Sequence, residues 1–570
     1  MQIQKYLVFS LGLFLMSCGT GPREATLVLK NGTIVTVDPE KPQAQAVAIV
    51  ENKIYRVGSD TEIEPLIGEQ TRVIDLKGKL AIPGFIEGHG HFMRLGETKM
   101  MLDLTNAVNW QDVIAKVKRA AQQAPRGAWI TGWGWHQEKW DRPPQNAVEG
   151  LPVHRDLSRV SPENPVFLTH ASGHASFANA AALKAVGIKK GTPDPPGGEI
   201  VLDKAGHPTG VLRENAQDIL EEAIAAYKAR RSADQLQQEQ IEQVRLAGHE
   251  ALKNGVTTFH DAGTNFRTID FLKERAESGE LPIRLYIMIR YETIETLEKK
   301  LPAYRFINIG NNFLTVRSIK RQIDGALGSH GAWLLDPYAD LPASKGLNLE
   351  PIDEIHKTTR LGIEHGFQIN THAIGDKANR VVLDMYQDIF KNNPEHKNLR
   401  WRIEHVQHIH PEDIPRLAQL GIIASVQGVH ATSDGPWIEK RLGKKRAMEG
   451  AYMWRKLWDA GTIITNGTDV PVENINPIMS FYAMVSRRMS NDAVFYGSQK
   501  LTREEALKTY TINNAHAAFE EEMKGSITPG KLADIVILSK NIMSIPEDEI
   551  PQTEVLYTLL DGKVVYQKQE

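Results

Sequence analysis

Cysteine is almost missing from this chain of 570 residues: Cys18 is the only one. Without a second thiol there is no intramolecular disulfide, so stability must come from packing and from any bound metal. An excess of charge of either sign is missing too. Lys and Arg number 67 against 70 Asp and Glu, a formal net charge of -3, with both signs mixed throughout. That balance gives no basis for a nucleic-acid partner. The sequence also has no low-complexity tract, heptad run or short-period repeat, which sets aside coiled coils and repeat solenoids.

What is present is size and apolar content. At 570 residues and 41% hydrophobic, the chain exceeds the length at which one core stops growing, so one large domain with a smaller companion is expected. Leu7 to Met16 (LVFSLGLFLM) is an apolar run of signal-peptide length, too short to span a bilayer. It follows Lys5 and ends at Leu15-Met16-Ser17-Cys18, which resembles a bacterial lipoprotein signal. Residues 1–18 are therefore expected to form a lipoprotein signal, cleaved so that a lipidated Cys18 becomes the first residue. The rest of the chain would then sit in the cell envelope, outside the cytoplasm, touching membrane only through the lipid. An ordinary secretory signal is the other reading.

Both ends of the remaining chain read as β. Thr26 to Asp38 alternates around Asn31-Gly32, Ala46 to Gly58 around Glu51-Asn52, and Val555 to Val565 around Asp561-Gly562, each in the manner of a hairpin. Together with Ala533 to Leu538 they predict a small β-sandwich built from residues 26–80 and 525–570. Between them, Ile82 to Ile86, Val256 to His260, Ile283 to Ile289, Val316 to Ile323, Phe367 to Thr371, Trp401 to Glu404, Ile422 to Val426 and Thr462 to Thr465 are short apolar, β-branched runs. Most are separated by helix-like stretches such as Ser232 to Lys253 and Ile352 to His365. Eight strands alternating with helices predict an α/β fold, a (β/α)8 TIM-like barrel over 81–524. About 165 residues separate the first two strands, far beyond an ordinary connection. They predict an insertion at about 125–215, over the barrel mouth or as surface elaboration. Its Trp129, Trp133, Trp135 and Trp140 suit a pocket wall or insertion packing equally.

In such barrels catalytic groups gather at the C-terminal strand ends. In GFIEGHGHFM, His89 and His91 stand two residues apart after the first strand, so both rings can aim at one point. Lys320 lies in the fourth strand ahead of Asp324-Gly325, His372 follows the fifth in THAIGD, His405 the sixth in RIEHVQ, and Asp469 the eighth in NGTDVP. Any one of these is commonplace. Six in one place point to a metal site.

These segments also carry a family resemblance. AIPGFIEGHGH, SGHASFANAAAL, GEIVLDKAGHPTGVLRE, IDGALGS, THAIGD, RIEHVQ, TDVPVENINP and KGSITPGKLADIVIL, in that order, resemble the amidohydrolase superfamily. The likeness is to its amidohydrolase family three branch, which includes N-substituted formamide deformylases. Glu87 stands where that branch usually has Asp, Gly428 where Pro is common, and Thr468 where Ser is common. The resemblance implies a metal-activated water attacking a carbonyl-type carbon, with His89, His91, His372, His405 and Asp469 as ligands to a divalent metal, zinc by preference. Asp469 would also serve as general base and then acid. Lys320 matches a lysine that similar enzymes carboxylate to bridge two metals; as an ordinary lysine paired with Asp324 it would leave one ion. His174, Asp324 and His430 are expected on the substrate side. The function so implied is hydrolysis of a C–N bond, an amide by preference, in a small molecule. A deaminase or cyclic-amide hydrolase, or a non-catalytic metal-binding lipoprotein, are the alternatives.

Overall fold

The computed structural model describes residues 23–569, so the expected signal segment and Cys18 lie outside the described residues. Eight parallel strands form the barrel: β1 (Phe85–Gly90), β2 (Val256–Thr264), β3 (Arg284–Ile289), β4 (Leu314–Gln322), β5 (Gln368–Ala373), β6 (Arg402–His405), β7 (Ile423–Val426) and β8 (Ile464–Asn466). Neighbours in this order pair in register, with Lys320 opposite Asn370 and His372 opposite Glu404. The seam between β8 and β1 is closed by a side chain. Asn514 Nδ2 donates to Ile86 O at 2.6 Å and to Asn466 O at 2.9 Å.

The helices between strands start and stop where their sequences say they should. Ser232 caps the helix Ala233–Lys253 in a reciprocal box with Gln235, and Gly366, at φ +68°, ends the helix Ile352–His365. Among the described residues no helix is long and apolar enough to cross a membrane.

The chain ends build a two-sheet sandwich. One sheet runs Lys53–Gly58, Ala46–Val50, Leu27–Lys30, Arg72–Asp75; the other runs Lys563–Gln567, Val555–Leu560, Ile535–Leu538, Leu80–Pro83, Thr33–Val35, Gln43–Ala44. Leu29, Val47 and Ile49 of the first meet Ile34, Ile535 and Ile537 of the second in a shared core. The turns at Glu51-Asn52 and Asp561-Gly562 are hairpins as predicted. Asn31-Gly32 is not: there the chain leaves one sheet for the other, because Leu27–Lys30 pairs with Ala46–Val50 and Arg72–Asp75 instead of with Thr33–Val35. The first barrel strand also begins later than its sequence suggested. Leu80–Pro83 belongs to the sandwich, and the changeover falls at Gly84, where a Cβ would lie 2.3 Å from Thr257 Oγ1. Arg284 at the foot of β3 locks the two parts together, holding Asp534 at 2.8 Å and Asp561 at 2.9 Å while fully buried.

The insertion is a sheet of its own, ordered Gly198–Leu202, Pro208–Glu214, Ala175–Ala178, Val166–His170, Ile130–Trp135, Leu102–Asp103. It starts at Leu102, earlier than position 125, because the helix Trp110–Gln123 packs Trp110, Val113 and Val117 into the same core as Trp135, Phe177 and Val211.

Candidate active site

The C-terminal ends of the barrel strands open into a cavity of about 1450 Å³, roofed by the insertion. His89 on β1 is buried, and its Nδ1 is bound by Glu404 of β6. Its Nε2 is thereby turned inward, 3.5 Å from Asp469 Oδ1 and 3.4 Å from Lys320 Nζ. His91, half-buried, brings Nε2 to 3.2 Å from the same Asp469 oxygen. The His405 ring stands 4.7 Å from that of His89 and 4.4 Å from that of His372, between centroids. One ligating atom from each of His89, His405 and Asp469 falls within 4.8 Å of the others.

Backbone strain marks the same place. His405 (φ 81°), Val406 (φ 45°) and Asp469 (φ 56°) all adopt the left-handed region without being glycine. Such conformations persist where the surroundings impose them, as at sites that must aim a side chain.

The electrostatics favour ligation. Burial, and next the Lys320 charge, lower His89 to a pKa of about 4; burial and neighbouring histidines hold His405 well below the usual imidazole range, and burial and Lys320 do the same for His372. The rings are therefore neutral, as metal ligands must be. Burial opposes charge on Asp469, yet the His91 ring N–H beside it holds its carboxyl well below the usual carboxylate range. Burial brings Lys320 down to about 7. His372 Nε2 is buried with no hydrogen-bond partner, and Asp469 Oδ1 meets the rings of His91 and His89 at 3.2 and 3.5 Å. An unsatisfied buried nitrogen and a carboxylate beside neutral imidazoles are what a divalent cation would complete, so the residues fit such an ion.

The other expected residues divide. His174 lines the cavity from the insertion, its Nδ1 2.7 Å from Glu214 Oε2. His430 also lines it, with Nδ1 3.1 Å from Gln407 Nε2. Asp324 does not: fully buried, it accepts backbone N–H bonds from Ile374 (3.0 Å), Gly375 (2.8 Å) and Trp333 (2.9 Å) and stands 3.4 Å from His372. Its carboxylate is taken up in holding the loops after β4 and β5. Of the tryptophans, Trp133 faces the cavity under the Arg94 guanidinium, 5.2 Å from the ring centre, while Trp140 packs 6.1 Å from Trp135 and from Trp110.

Sequence reasoning passed over three partners: Glu404 on His89, Gln427 at 2.8 Å from His405 Nδ1, and Glu214 on His174. A signal existed for the first. Arg402 and Glu404 alternate in β6, so both point into the barrel, where Arg402 Nε donates to Glu404 Oε1 at 2.7 Å.

The comparisons agree with this geometry. The model of the amidohydrolase family matches residues 72–566. Protein LONG AFTER FAR-RED 3 of Arabidopsis thaliana is 34% identical over 554 residues, spanning 95% of this chain and 92% of that protein. N-substituted formamide deformylase of Arthrobacter pascens is 28% identical over 548 residues, spanning 95% and 98%. The crystal structure of an uncharacterized metal-dependent hydrolase from Pyrococcus horikoshii has a TM-score of 0.71 at 25% identity, covering 92% of this chain and 99% of that one. On the extent of the family match and of these relatives, the chain belongs to the amidohydrolase family.

Proposed function

We propose that this chain hydrolyses a C–N bond, of amide type, in a small molecule. One or two divalent ions, zinc by preference, would be held by His89, His91, His372, His405 and Asp469, and a second ion would call on a carboxylated Lys320 as a further ligand. The observation that carries the reading is the convergence of His89, His405 and Asp469 atoms within 4.8 Å at the barrel mouth. When bound, the metal would supply Lewis acidity, polarising the carbonyl and lowering the pKa of water. The remaining steps belong to the chain.

Asp469 is ionised and lines the cavity, so it accepts the proton of the attacking water and returns it to the departing nitrogen. Glu404 fixes the His89 ring with Nε2 inward. Lys320, with its pKa lowered to about 7, holds much free amine at neutral pH, the form that adds CO2. The resulting carbamate would replace a buried cation with an anion beside neutral imidazoles. His174 and His430, which line the cavity, contact substrate.

The test is Asp469→Asn, assayed on a panel of N-formyl amines, N-acyl amino acids and small peptides, with metal content read by plasma emission. Turnover is expected to fall on the order of 1000-fold, while metal binding weakens far less, since His89, His91, His372 and His405 remain as ligands. Unchanged turnover overturns the role of Asp469. We further propose export and anchoring through Cys18, supported by the run LVFSLGLFLMSC. Cys18→Ala is expected to move the protein out of the membrane fraction.

A further inference from the structure

His174 and Glu214 come from the insertion, not the barrel. The strand Ala175–Ala178 pairs antiparallel with Pro208–Glu214, which sets Glu214 beside His174: the Glu214 N–H donates to His174 O at 3.0 Å. Glu214 takes φ 46° and ψ -131°, a conformation side chains other than glycine's rarely adopt. That strain turns its carboxylate onto His174. Oε2 lies 2.7 Å from His174 Nδ1, and Oε1 accepts from Ser329 Oγ at 3.0 Å on the loop after β4. The neighbouring Arg213 does not compete, since Glu199 and Glu149 occupy it at 2.7 Å each.

With Nδ1 given to Glu214, Nε2 is the nitrogen left for the cavity that His174 lines. Glu214, Asp469 and Asp324 all favour a cationic ring, while the neighbouring His170 and His372 are held neutral by their own burial. Burial of His174 opposes its charge, but the acids outweigh it and its pKa is raised. A charged N–H donor suits an oxygen that gains negative charge as water adds to a carbonyl.

We propose that Glu214 is a positioning residue, which with Ser329 clamps His174 so that its Nε2–H holds the carbonyl oxygen of the substrate. The inference rests on the hydrolytic reading above. It also makes the insertion part of the catalytic apparatus, pinned by one carboxylate to a barrel loop.

The test uses the full chain with Glu214→Gln, Glu214→Asp and Ser329→Ala. Kinetics against pH are read together with the His174 titration midpoint by NMR of histidine-labelled protein, assigned through His174→Gln. Glu214→Gln is expected to lower kcat on the order of 100-fold with KM changed less than about threefold. The alkaline limb of the profile and the His174 midpoint should both move acidward, since loss of the carboxylate removes the main charge that opposes burial. Glu214→Asp should restore part of the rate, and Ser329→Ala should shift the limb the same way by less. A wild-type limb and midpoint in Glu214→Gln overturn the proposal. If the wild type turns over no amide, the hydrolytic reading fails, whereas the NMR midpoint still decides whether Glu214 governs His174.

Discussion

Glu404→Gln is the sharpest probe of how the barrel holds its metal ligands. Glu404 is fully buried and binds three donors: Arg402 Nε at 2.7 Å, Arg402 Nη2 at 3.0 Å and His89 Nδ1. Burial opposes its charge, yet Arg402 and His89 keep it well below the usual carboxylate range. The amide keeps the shape and removes the charge. Its NH2 must then face either the guanidinium or His89. Facing His89, it makes Nδ1 an acceptor and moves the ring proton to Nε2, the nitrogen that points at Asp469. Removing such an orienting carboxylate weakens metal binding by about 10- to 100-fold, roughly 1.4 to 2.7 kcal/mol. Arg402 keeps Gly88 O and Ser425 Oγ at 2.7 Å each but loses its counter-charge. The metal-free protein is therefore expected to lose about 3 to 5 kcal/mol. Zinc affinity is measured by competition with a chromogenic chelator, and stability by urea unfolding of the metal-free protein. A variant that binds zinc as tightly as the wild type would refute the orienting role of Glu404, whatever its stability.

Three further outcomes follow from the fold. Asp534→Ala leaves the buried Arg284 guanidinium with only Asp561 as a carboxylate partner. Its urea midpoint should fall by an amount worth about 3 kcal/mol, whereas a midpoint equal to wild type would show that the sandwich does not depend on this pair. Gly96→Ala places a Cβ 2.1 Å from Gln243 O, where the helices Phe92–Lys99 and Ala233–Lys253 cross. A loss of about 1 to 3 kcal/mol in thermal unfolding is expected. Burial would raise the pKa of Glu97, but Arg94 (2.6 Å) and Lys228 (2.9 Å) reverse this and lower it to about 2. A depressed carboxylate stabilises the fold above its unfolded pKa and loses that contribution as pH falls, here between about 4.5 and 2. Glu97→Gln should therefore flatten the acid limb of Tm against pH, and an unchanged limb would sink the argument.

How much of this was legible beforehand depends on how local the signal is. The eight barrel strands appear as short β-branched runs because a strand buried on both faces needs apolar side chains along its own few residues. Likewise, a histidine or aspartate placed just after such a run has its position fixed at the strand end. The same local logic failed at Asn31-Gly32, where the turn residues suit a hairpin but the partner of Leu27–Lys30 is Ala46–Val50. It also failed at Ile82-Pro83, which reads as the opening of β1 until its neighbours Ile535 and Val536 are known.

By itself, then, the sequence determined the class of fold, its assembly from both ends around a barrel, and which side chains stand at the strand ends. Those properties follow from periodicity and spacing within a few residues. Only the tertiary structure decided which of those side chains meet and in what state. His89 takes its orientation from Glu404, 315 positions away, and His174 from Glu214, 40 positions away. Asp324 is consumed by loop backbones instead of facing the cavity. Hydrogen-bond partners and burial set the charge on a group, and both are properties of the space around it, which no short stretch of chain encodes.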